Sequence, residues 1–271
     1  VTDATLVIGD TAVGTAGTVD LPSRIEQLDA SVGVSSDENE LKVAINHVSL
    51  RAQEPAFGVN AVSGTIRRRE NTVYLDNVSF RSEESSVHAN GSIEGVEGAS
   101  PRVDLTVTSD KFDVGEIARL VPALRGYHMQ TAFEIAAKGP ADGMKVDLNV
   151  REQNLGKVVA SLTVDSEAPG RHVTGDVAME HFNIGPLSKS EAATGETLKS
   201  DITGSGRIDL ALPEGKLPLS GTYTVNAPSV DVAGYRARNV KANGRIDGQV
   251  IRVNASADAY GGRATASGSV Q

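Results

Sequence analysis

Aliphatic residues recur at every second position along almost the whole of this 271-residue chain, and that period admits few folds. Leu41, Val43 and Ile45 alternate with polar or small neighbours, as do Val103, Leu105 and Val107. The same spacing returns at Val146, Leu148 and Val150, at Val158, Ala160, Leu162 and Val164, and at Ile208, Leu210 and Leu212. It closes with Leu219, Gly221, Tyr223 and Val225, then Ile251, Val253, Ala255 and Ala257. Side chains alternate faces along a strand, so each run puts aliphatics on one side and polar residues on the other. One dry face and one wet face predict antiparallel sheet with a single buried side. Turn-forming residues separate the runs at Gly95 to Gly98, Gly139 to Gly143, Pro169-Gly170, Pro213 to Gly215 and Asp247-Gly248. The phase changes once inside a run: Leu41, Val43 and Ile45 hold odd positions, Val48 and Leu50 even ones. A bulge at Asn46-His47 accounts for that switch.

Helix is expected in two short places. Val114, Ile117, Ala118, Val121 and Leu124 have helical spacing after Asp113, a suitable N-cap, and Pro122 interrupts the segment. The Ala-containing stretch 186–199 is the second. The chain also repeats itself. Phe112-Asp113-Val114-Gly115-Glu116-Ile117 returns as Phe182-Asn183-Ile184-Gly185-Pro186-Leu187, and more loosely as Val230-Asp231-Val232-Ala233-Gly234-Tyr235. Residues 57–93 match 235–270: Val62, Gly64 and Ile66, then Val73 and Leu75, answer to Ala242, Gly244 and Ile246, then Ile251 and Val253. Repeated β units that each leave an apolar face to be covered build elongated stacked architectures.

Composition narrows the partners. The net charge of −9 lacks the basic face a nucleic acid needs, and it opposes electrostatic adsorption of the whole chain to anionic headgroups. Aromatics are only 4%, with no Trp, so a thin or open apolar layer fits better than a deep core. Without cysteine there are no disulfides and no thiolate metal sites. No apolar run approaches the roughly 18 residues of a spanning helix, and Val1 opens no signal peptide. The expectation is a piece of a longer protein.

Catalytic chemistry is sparse. His47, His88, His128, His172 and His181 are scattered, with no HExxH motif. No Gly-x-Ser-x-Gly elbow occurs, and Gly204-Ser205-Gly206 lies within an alternating run, where its glycines suit close packing or a bend. Gly9 to Gly14-Thr15 lacks the lysine of a phosphate loop and reads as a hairpin turn. Asp37-Glu38-Asn39-Glu40 and Glu83-Glu84 fall in expected turns as solvated charge, and Arg67-Arg68-Arg69-Glu70 is a charged hairpin tip that would discourage edge aggregation. No enzyme activity, cofactor or metal is expected.

The C-terminal stretch carries a resemblance. Tyr235-Arg236-Ala237-Arg238-Asn239-Val240 leads to Gly244-Arg245-Ile246-Asp247-Gly248, then Ala259-Tyr260-Gly261-Gly262-Arg263-Ala264 and Ala266-Ser267-Gly268-Ser269-Val270. That order, with the Phe-Asp/Asn-Val/Ile-Gly repeats, resembles the AsmA-like superfamily of periplasmic bridge-like lipid transfer proteins. The resemblance covers the chain from about Leu41 onward. It implies a mainly β fold, an elongated antiparallel sheet curled into a U-shaped trough, forming one segment over 1–271. It further implies a periplasmic location, an inner-membrane anchor outside this sequence, and passage of phospholipid acyl chains between inner and outer membranes.

The expected lining is Val43, Ile45, Val103, Leu105, Val107, Leu148, Leu162, Val164, Val177, Met179, Ile208, Leu210, Val225, Ile251 and Val253. The same stripes could instead be the inside of a closed barrel or sandwich. Two rival functions stand beside lipid conduction. One is a scaffold that pairs its open strands with neighbouring modules or an outer-membrane assembly partner by β-augmentation. The other is a glycan-binding or hydrolytic β protein, which the absence of Trp disfavours.

Overall fold

The computed structural model describes residues 1–7, 19–98, 100–167, 171–187, 199–212 and 218–270. The chain is 73% strand, and sixteen strands hydrogen-bond in strict sequence order in one antiparallel sheet that does not close into a barrel. The expected turns at 169–170 and 213–215, and the Gly9–Thr15 segment, lie outside the described residues.

The strands gather in two compact units, Val1–Glu134 and Ile135–Gln271. The first holds β1 (Ala4–Val7), β2 (Arg24–Ser36), β3 (Glu40–Gln53), β4 (Phe57–Arg69), β5 (Thr72–Ser82), β6 (Ser86–Glu94) and β7 (Arg102–Asp113). After β7 come a single-turn helix, α1 (Val114–Ile117), and a 3-10 turn at Pro122–Leu124. The boundary falls inside β8 (Gln130–Pro140). The second unit continues with β9 (Met144–Glu152), β10 (Gly156–Asp165), β11 (His172–Phe182) and β12 (Ser200–Ala211). It ends with β13 (Ser220–Val232), β14 (Tyr235–Asp247), β15 (Val250–Ala259) and β16 (Gly262–Val270).

Local chemistry explains the meander. Four of the described hairpins turn on two residues, and in two of them, Ala233-Gly234 and Tyr260-Gly261, both residues have positive φ. That is the type I′ geometry, whose twist matches the strands it joins, and glycine takes the second position without steric cost. In β3 the register runs from Ile45↔Gly64 to Val48↔Val62, so Asn46 and His47 together oppose Ser63, and the bulge at Asn46-His47 is present. Both repeats are structural. Residues 57–93 and 235–270 each form a three-stranded meander, β4–β6 and β14–β16. In the shorter repeat the Asx residue ties off the strand end every time. Asp113 Oδ1 accepts from the Glu116 amide at 2.7 Å, Asn183 Oδ1 from Gly185 at 3.1 Å, and Asp231 Oδ1 from Gly234 at 3.2 Å. Of the second helical stretch, only a 3-10 turn at Gly185–Leu187 is seen, and 188–198 lie outside the described residues.

Burial is shallow. The buried apolar residues among those described are Ala52, Val59, Ala118, Ala141, Leu155, Ala160 and Ala227, mostly alanines, and no large side chain is fully buried. The chain exposes 16561 Å².

Candidate functional site

Directly opposed residues in an antiparallel pair point to the same face, so the register assigns every side chain to a side. In the first unit one row runs Val34–Val43–Ile66–Leu75–Gly91–Leu105 across β2 to β7. A second joins Leu41, Arg68, Val73, Ile93 and Val103, and Val107 follows opposite Ala89 and Val78. Val43, Ile45, Val103, Leu105 and Val107 therefore share one face.

The second unit is more regular still. Val164–Val173–Leu210–Gly221–Ile246–Ile251 forms one row, and Leu162–Gly175–Ile208–Tyr223–Gly244–Val253 the next. Leu148–Ala160–Val177–Gly206–Val225–Ala242 follows, then Val158–Met179–Gly204. All ten expected lining residues of this unit lie on one face, in four adjacent rows. Of the fifteen in the whole chain, fourteen are half-buried, and Ile251 is 42% exposed. The face is apolar and only partly covered.

Large residues sit beside glycines along these rows, which lets them lie flat across the neighbouring strand. Tyr223 shows it best. A Cβ on Gly244 would stand 2.6 Å from its hydroxyl oxygen, so the ring occupies the space that glycine leaves. The hydroxyl donates to the Arg252 carbonyl oxygen at 3.1 Å, and burial raises its pKa. The opposite face is polar. There His172 Nε2 meets Asp209 Oδ1 at 2.8 Å, Lys157 Nζ meets Glu180 Oε1 at 3.2 Å, and Ser161 donates to Asp147 at 2.6 Å.

The insert after β7 lies over the strand ends of the first unit. Glu116, 3% exposed, accepts from the Ser82 hydroxyl at 2.5 Å, the Ser85 hydroxyl at 2.7 Å, and the Glu83 and Glu84 amides at 3.1 and 3.3 Å. That ties α1 to the β5–β6 turn. Farther along, Leu120 O accepts from the Asp20 amide at 2.6 Å, and Arg125 pairs with Asp20. The insert thus reaches from β7 to the segment that enters β2.

The turn charges are satisfied locally. Arg67 donates twice to Asp76, at 2.5 and 2.9 Å, and stands 4.9 Å from the Tyr74 ring centre. That hydrogen bond holds the Asp76 carboxyl below its ordinary value. Arg68 pairs with Glu97, and Arg69 with Glu40 at 3.1 Å. Asp37 Oδ1 accepts from the Asn39 and Glu40 amides, which lowers its pKa. His181 faces Asp201 at 3.1 Å. Among the described residues no three His, Asp or Glu side chains are placed to hold a metal ion, and no helix is long and apolar enough to cross a membrane.

Alternation alone passed over several members of the face. Val32 and Val34 of β2, 49% and 67% exposed, lie opposite Ile45 and Val43. Ile66, Leu75, Tyr223 and Ile246, in the alternating runs and repeats but outside the expected lining, complete the rows by their register. Comparison of the chain with protein-family models, with curated proteins and with solved structures returned no match.

Proposed function

We propose that this chain is a periplasmic segment of an AsmA-like protein whose apolar face holds lipid acyl chains and conducts phospholipid between the inner and outer membranes. The observation that carries the reading is the one-sided apolar face that no large, fully buried side chain fills. Burying a methylene is worth about 0.8 kcal/mol. An acyl chain laid on a half-covered face collects part of that for each carbon, enough to leave water and too little per step to be trapped. Neighbouring rows offer equivalent aliphatic contact, so movement along the face exchanges like for like. The lining makes and breaks no bonds, and the headgroup stays in water. Direction and anchoring belong to the membranes and to other parts of the longer protein.

A scaffold role has one observation in its favour. β16 ends the strand order with only β15 beside it, and Gly262 to Ser269 carry a single charge, Arg263. Natural edge strands are usually blunted by charge or proline, so an edge this bare suits an added strand.

Parity separates the two. A photo-crosslinking residue at Leu148 or Ile208 is expected to capture lipid in cells, while the same residue at Asp147 or Asp209, one position away on the polar face, captures none. Equal capture at both parities, or none at either, would overturn the lipid reading.

A further inference from the structure

The strand ends around the β15–β16 turn carry positive charge that the rest of this acidic chain does not spend on itself. Arg236, Arg238, Asp258, Tyr260 and Arg263 surround an open recess of about 580 Å³, floored by Ala259, Gly261 and Gly262. That lies within the roughly 300–1,000 Å³ typical of small-ligand sites. Arg238 and Arg263 are both cross-strand partners of Asp258 and so project to the same face on either side of it. Neither guanidinium makes an ion pair or side-chain hydrogen bond. Asp258 is held instead by Asn239, whose Nδ2 donates to it at 2.8 Å. Arg236 pairs with Asp231 at 3.0 Å but is 87% exposed.

Aromatic rings gather at the same end. Tyr260 is 84% exposed and Tyr235 is 69% exposed, the two most exposed aromatic residues of those described. The β13–β14 and β15–β16 hairpin tips that carry them are neighbours through the β14–β15 pairing. Arginine with tyrosine, charge beside an amphipathic ring, is the chemistry of the boundary between water and lipid. At the tip, Gly261 and Gly262 have nothing within 4 Å of a would-be Cβ, so the turn leaves an unobstructed way round to the apolar face.

We propose that Arg238 and Arg263, with Arg236 and Tyr260, bind the phosphate of an anionic phospholipid headgroup at this end of the second unit. The inference rests on the lipid reading and adds the group recognised. Two unpaired guanidiniums present planar donor forks that match phosphate oxygens. The net charge of −9 repels an anionic surface from most of the chain, so contact concentrates where unpaired guanidiniums share one recess with an exposed tyrosine ring.

The test is flotation of the whole chain on vesicles of phosphatidylcholine alone and of phosphatidylcholine mixed equally with phosphatidylglycerol. The parent is expected to bind the mixed vesicles and not the neutral ones, less strongly as salt rises. R238Q/R263Q is expected to lose about thirty-fold in affinity, the worth of two arginines at an anionic surface. Circular dichroism checks that the variant keeps its sheet, and lipid extraction checks that it still copurifies with acyl chains. Equal binding by parent and variant, or no binding to the mixed vesicles, overturns the headgroup site. Inorganic phosphate that stabilises the parent without any vesicle binding also overturns it, since the recess then serves free phosphate. A parent that floats but carries no lipid counts against the apolar conduit and not against the recess.

Discussion

Glu116 occupies the repeat position that Pro186 takes in the second copy, and the two do different work. Pro186 sits in a 3-10 turn, whereas the Glu116 carboxyl gathers four donors from the β5–β6 turn into a buried cluster. Removing it would leave the Ser85 hydroxyl and two amides without this acceptor, and the Ser82 hydroxyl with only the longer contact to the Ser85 carbonyl oxygen at 3.3 Å. Hydrogen bonds to charged groups are worth about 1.5–3 kcal/mol, and orphaned buried donors cost about 1–3 kcal/mol each. Glu116→Ala is therefore expected to destabilise the first unit by about 3 kcal/mol in urea denaturation, with faster hydrogen exchange at the Glu83 and Glu84 amides. Glu116→Gln, which keeps one acceptor oxygen, is expected to lose less. No local signal announced this contact, because thirty or so residues separate Glu116 from its donors. Asp113 was legible as a cap, since a cap acts within its own turn.

At the scale of the strand, alternation was enough to find most elements. It was enough for the β3 bulge as well, since an extra residue leaves its mark as a switch from odd to even positions. It could not show which strand lies beside which residue. The rows depend on register, and register depends on further irregularities, such as the shift between Leu75 and Val78 in β5 and that between Arg238 and Lys241 in β14. The first leaves a switch from Val73 and Leu75 to Val78 and Phe80, but the second falls among polar residues and Val240, where no alternating run marks it. Glycine placement had the same ambiguity. Gly244 marks only a repeat position in the sequence, and in the fold it is the seat of the Tyr223 ring. Gly244→Val is expected to push Tyr223 off its strand and break its bond to Arg252, costing about 2–4 kcal/mol, in the range of overpacked sites. A fall in the urea midpoint together with a shifted Tyr223 signal in NMR spectra would show it. The arginine recess was hidden for a related reason: Arg238 and Arg263 meet only because β14, β15 and β16 fold back in order.

Across the molecule, each unit presents apolar rows that its own side chains leave half-open, backed by a polar face of ion pairs and hydroxyls. Aspartate has no partner on such rows, so Leu105→Asp, Leu148→Asp and Leu210→Asp together place charge on the lining of both units. Half-exposed sites tolerate charge better than a sealed core does, so the triple variant is expected to fold while repelling acyl chains. A closed core would instead collapse under three buried charges. The measurement that bears most directly on lipid conduction is native mass spectrometry with lipid extraction, run on the purified chain and on this triple variant. Bound phospholipid at reproducible stoichiometry in the parent, lost from a variant whose circular dichroism is unchanged, is the predicted result. A parent that flies lipid-free, or a folded variant that retains its lipid, would contradict the assignment of this face to acyl chains.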